Sequence, residues 1–149
     1  MSDFVEDVEV REIGQKLIEV WSTLFSHIVP DKILWARDTG PITPRGSRAA
    51  GQCIRVRPPY NLLNPNIRYI IAVLPRAKWT DLDDKQKAAL IIHELLHIPL
   101  EFGEALVDHD VKDFSLLIDS LGSDYLARTD LPNFLDPSSA RGALAKSRM

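Results

Sequence analysis

Apolar positions recur at steps of three and four near the start of the chain: Val10, Ile13, Leu17, Val20, Leu24 and Ile28. That period lays a single stripe along a helix, predicted over residues 4–29 and stopped by Pro30. Ile33 to Arg37 is a short apolar run that reads as a strand. The Gly- and Pro-rich segment from Asp38 to Gly51 reads as a loop or hairpin tip. Gln52 to Arg57 alternates polar and apolar residues, the period-2 mark of a half-buried strand, and Pro58 and Pro59 end it. Ile67 to Leu74 is β-branched and is the strongest strand candidate. The expected sheet is small, three-stranded, and antiparallel or mixed.

The helical period returns at Ala88, Ile91, Ile92, Leu95 and Ile98 and predicts a helix over residues 81–98, closed by Pro99. Thr80 with Asp83 fits a helix-start pattern, and Asp81, Asp83 and Asp84 put negative charge at the positive end of its dipole. A connecting loop follows, and a second helix is expected from Asp108 through Val111, Phe114, Leu117, Ile118 and Leu121 to Gly122. Residues 129–149 read as a poorly ordered tail, with Leu131, Phe134 and Leu135 able to dock it. The fold class is therefore α+β: an N-terminal helix, a small sheet and two further helices in one domain over residues 1–128.

Composition narrows the function classes. The chain has 149 residues, 45% of them hydrophobic and 26% charged, which suits one compact domain and excludes wholesale disorder. A formal charge of −3 does not suit a general polyanion binder. Cys53 is the one cysteine, so no intrachain disulfide can form, as expected for a reducing cytoplasm. No apolar run approaches the roughly 18 residues of a membrane span, and the acidic stretch from Met1 to Glu12 lacks the features of a secretory signal. The expected setting is the cytoplasm.

The histidines change this unremarkable picture, because His93, His97 and His109 fall close together. His93-Glu94-Leu95-Leu96-His97 is an H-E-x-x-H motif on a predicted helix. Residues four apart share one helix face, so two imidazoles can ligate one metal ion from a single element. Glu94, beside the first ligand, can hold a metal-bound water and take its proton. Neutral imidazoles suit zinc, which would lower the pKa of that water to about 7. The chain's own His and Glu frequencies put a chance match well under about one per cent. The plainer alternative, two core histidines on a buried helix, requires three polar groups to be buried without compensation. A catalytic zinc needs a third protein ligand. His109 is the best candidate; Asp110 and Asp113 are the alternatives, and Asp113 could instead orient the His109 ring.

The stretch HELLHIP followed by DHDVKDF, with IRYIIAV and WTDLDDKQKAALIIHELLH upstream, resembles the putative phage metallopeptidase family, small zincin-like proteins of phages and prokaryotes. The resemblance covers residues 17–122 and is sharpest over 79–118. It implies a minimal zincin fold, with His93, His97 and His109 as ligands and Glu94 as base. A weaker similarity is to the SprT-like proteases. The metzincin pattern is absent, since Gly103 and His109 do not fall at its positions.

The leading expectation is a zinc peptidase acting on protein or peptide, with substrate laid along an exposed strand edge formed by residues 67–74. A zinc-binding recognition module with little proteolysis is the main alternative. A DNA-associated protease is a third reading, suggested by the locally basic residues 37–57; a solvated hairpin explains that charge more simply. His27 reads as structural, and Cys53 as a small core residue without a base to activate it. Nothing in the sequence sets the oligomeric state.

Overall fold

The computed structural model describes residues 3–44, 49–57, 59, 62–101, 105–106 and 135. The described elements are β1 (Phe4–Glu6), α1 (Val8–Val20), β2 (Ile33–Asp38), β3 (Gly51–Arg55), β4 (Tyr69–Val73) and α2 (Asp84–Leu95), with short 3-10 turns at Pro30–Lys32, Pro75–Ala77 and Trp79–Asp81. The class is α+β, as expected from the sequence. The predicted helix following α2, together with the tail except Leu135, lies outside the described residues.

The sheet has four strands rather than three, in the order β1-β2-β4-β3. The added strand comes from the segment expected to begin the first helix. Phe4, Val5 and Glu6 pair antiparallel with Asp38, Arg37 and Ala36. The helix cannot begin before Asp7, whose extended backbone makes it the N-cap. Its Oδ1 accepts the Val10 N–H at 2.9 Å, giving that donor the acceptor that no preceding turn supplies.

The first helix also ends earlier than its apolar stripe. α1 stops at Val20, and residues 21–27 continue as turns. Ser22 and Thr23 are poor helix formers. Phe25 and Ile28 nevertheless stay buried, so the stripe survives while the helix does not.

β2 runs parallel to β4, with Ile33 opposite Tyr69 and Trp35 opposite Ile71. β3 intervenes in sequence but docks antiparallel on the outer side of β4, Gly51 facing Val73 and Cys53 facing Ile71. β4 is therefore internal, paired on both edges. Its continuous run YIIAV, buried except at Ile70, is what a central strand requires. The expectation that residues 67–74 offer an open edge is thus incorrect. On that side of the sheet the outer strand is β3.

α1 packs on β2, α2 packs on β3 and β4, and the helices pack on each other. The core between them includes Val10, Leu17, Trp35, Ile71, Val73, Ala88, Leu90, Ile91, Ile92 and Leu95, with Leu106 and Leu135 packed against it. Each large aliphatic side chain fully buried there contributes about 1.5–3 kcal/mol. A polar clamp ties the two helices at one end. Glu9 Oε1 accepts from Trp79 Nε1 at 2.6 Å and from Lys87 Nζ at 3.1 Å, and that ammonium lies 5.1 Å from the centroid of the Trp79 ring.

Candidate metal centre

α2 begins three residues later than its apolar period suggested. Asp83, not Thr80, is the N-cap. It forms a reciprocal capping box in which Gln86 N–H donates to Asp83 Oδ1 and Asp83 N–H donates to Gln86 Oε1, both at 2.9 Å. Thr80 sits instead in the 3-10 turn Trp79–Asp81, just past Lys78, which adopts a left-handed φ of 51°. The helix ends at Leu95 because Pro99 disfavours helical backbone at Ile98. The last turn tightens to three-residue spacing, with His97 N–H donating to Glu94 O and Ile98 N–H to Leu95 O, each at 3.1 Å. His27 Nε2 lies 3.2 Å from the carbonyl of Ile98 and tethers this end of the helix to the segment after α1. This contact matches the structural reading of His27.

From Ala88 to Pro99 every residue is buried. The polar trio His93, Glu94 and His97 is therefore enclosed within an apolar element, at 9%, 4% and 8% exposure. Their ligand atoms lie within 4.8 Å of one another. The two imidazoles meet edge to face, with centroids 5.5 Å apart. His97 Nε2 stands 3.6 Å from Glu94 Oε1, too long for a hydrogen bond. Burial raises the Glu94 carboxyl from its ordinary value to about 8. Two nitrogen donors and a carboxylate concentrated in a dry site form a donor set that fits a zinc-type divalent ion, which would offset the cost of burying them.

The opposite wall is β3, which the sequence did not connect to the motif. A Cβ placed on Gly51 would lie 2.9 Å from Glu94 Oε2, so the carboxylate rests against bare strand backbone. Cys53, two residues on and on the same face, is buried as expected. Its thiol is pushed up to about 12, first by burial and then by the nearby Glu94 charge. A thiol held in that form is a packing group, not a nucleophile.

Among the described residues, the structure thus brings together His93, Glu94 and His97. His109, with its alternatives Asp110 and Asp113, lies outside them. No helix among the described residues is long and apolar enough to cross a membrane. A family model described as putative phage metallopeptidase matches residues 2–135. No curated protein and no solved structure matches the chain.

Proposed function

Because the chain belongs to the putative phage metallopeptidase family, we propose that it is a zinc-dependent peptidase of the H-E-x-x-H type, with His93, His97 and His109 as ligands and Glu94 as general base. The observation that carries this reading is the convergence of the His93, Glu94 and His97 donor atoms within 4.8 Å on one buried helix end. Bound there, zinc supplies Lewis acidity and a water acidified to a pKa of about 7.

The chain's own groups do the rest. His93 projects from the last turn of α2 and His97 from the tightened turn that follows it, both buried, so their positions are held by packing before an ion arrives. Glu94 takes the proton of the attacking water and returns it to the leaving amine. The apolar surroundings strengthen each electrostatic contact by excluding bulk water. The outer edge of β3, which carries no further strand among the described residues, offers main-chain donors and acceptors to an extended peptide. A lone buried thiol and no disulfide agree with action in a reducing cytoplasm.

The test is metal analysis of the purified protein together with hydrolysis of unfolded protein substrates by wild type and Glu94→Gln. Stoichiometric zinc in both, with turnover only in wild type, is expected. Absence of bound metal would defeat the reading. Bound zinc with no hydrolysis across the substrates would make the domain a zinc-binding recognition module.

A further inference from the structure

Gly51 opens β3 opposite Val73, in extended backbone that any residue can adopt. Glycine is therefore not required there by conformation. It is required by space. A Cβ on residue 51 would stand 2.9 Å from Glu94 Oε2, 3.0 Å from Cγ and 3.2 Å from Cδ. Unstrained carbon contacts lie at about 3.5–4.0 Å. The collision involves the stem as well as the tip, so rotating the carboxylate alone does not relieve it. Glu94 is only 4% exposed, so its carboxylate can shift away from β3 only by displacing packed neighbours. Cys53 and the packing of α2 on β3 close off the same region.

We propose that Gly51 is the positioning residue for the general base: its missing side chain sets how deep the Glu94 carboxylate sits against β3 and where its oxygens point. This inference rests on the reading of Glu94 as base. Any larger residue at 51 forces the carboxylate outward and off the line to the attacking water. A misplacement of about 1 Å in such a group costs on the order of a hundredfold in rate.

The experiment uses the full chain as wild type, Gly51→Ala, Glu94→Ala and the double variant, each melted without substrate and analysed for zinc. Glu94→Gln serves as the kinetic reference. Gly51→Ala is expected to keep zinc and lose about 10–100-fold in kcat with KM unchanged. It also lowers the melting temperature, and that penalty disappears when Glu94→Ala removes the carboxylate. A penalty of the same size in both backgrounds overturns the inference, and so does wild-type kcat in zinc-loaded Gly51→Ala. If Gly51→Ala does not fold, the double variant decides: folding restored by Glu94→Ala supports the contact, and failure to restore it refutes it. Wild-type turnover by Glu94→Gln would remove the general-base reading itself. Wild-type turnover by Gly51→Ala beside an inactive Glu94→Gln removes the positioning role alone.

Discussion

The indole of Trp35 fills the space that a side chain on Gly14 would need: a Cβ there would lie 2.2 Å from Cζ3 and 2.4 Å from Cη2. α1 therefore approaches β2 more closely than two ordinary residues would allow. Helix propensity alone favours Ala over Gly by up to about 1 kcal/mol. The collision reverses the sign, because the ring is buried and cannot move aside. Gly14→Ala is expected to destabilise the fold by about 1–3 kcal/mol in denaturant unfolding. A stabilised variant would show that α1 can lift from the sheet at little cost.

Asp7 joins two elements, since it caps α1 and also accepts from Arg37 Nε of β2 at 2.9 Å. Burial acts to raise its pKa, but the Val10 N–H and the Arg37 guanidinium outweigh that effect and hold it below the ordinary value. The resulting stabilisation is fully present above the unfolded pKa of about 3.9 and is lost as the pH falls through the lower folded value. Asp7→Asn keeps a capping acceptor without the charge, so its stability should fall less steeply than that of wild type on acidification. Parallel stability-versus-pH curves would refute the assignment. Asp7→Ala, which removes the cap as well, should cost about 1 kcal/mol at neutral pH.

Removing the proposed third ligand separates His109 from its neighbours. His109→Ala is expected to weaken zinc binding by more than about tenfold, because the loss of even an outer-sphere partner costs that much. Asp113→Asn should have a smaller effect. The reverse order, measured by zinc titration against a competing chelator, would transfer the ligand role to Asp113.

Chelation should also lower the melting temperature of wild type, because an ion bound only by the folded state stabilises it by mass action. His93→Ala and His97→Ala should abolish that response. A chelator-insensitive wild type would mean that the buried trio is held together without a metal.

Cys53 should be nearly inert in the folded protein. With its thiol pushed up to about 12, almost none is thiolate at mildly alkaline pH. Labelling by a thiol reagent is expected to be at least about a hundredfold slower in the native state than in denaturant, since only the thiolate reacts. Equal rates would place the side chain in solvent.

How much of this could be read from the sequence depended on how local each signal was. The helix of the candidate centre was legible because the apolar period around His93 and Glu94 is strong, although the helix stops at Leu95, two residues short of His97. The start of α2 was not, because Thr80 and Asp83 both look like caps. The choice falls to tertiary structure, where Lys78 at positive φ turns the chain into a 3-10 segment first. β1 left no trace because all three of its residues are exposed and backbone pairing alone holds it. Asp7 was the available clue. Strand order was hidden because it depends on which strand takes the centre, although the nearly unbroken apolar run of β4 pointed there. The contact of Gly51 with Glu94 joins positions far apart in sequence, and no motif links them.

The placement of β3 outside β4 also bears on how the site comes into existence. Pairing of β2 with β4 must close a long loop, whereas β3 and β4 form a hairpin-like pair that leads directly into α2. Every described residue of the candidate centre lies in the single stretch from Gly51 to His97. Within it His93, Glu94 and His97 are neighbours in sequence, whereas Gly51 meets Glu94 only when β3 docks against α2. The candidate centre is thus contained in one contiguous stretch of chain, while β1, α1 and β2 form the backing against which that stretch packs.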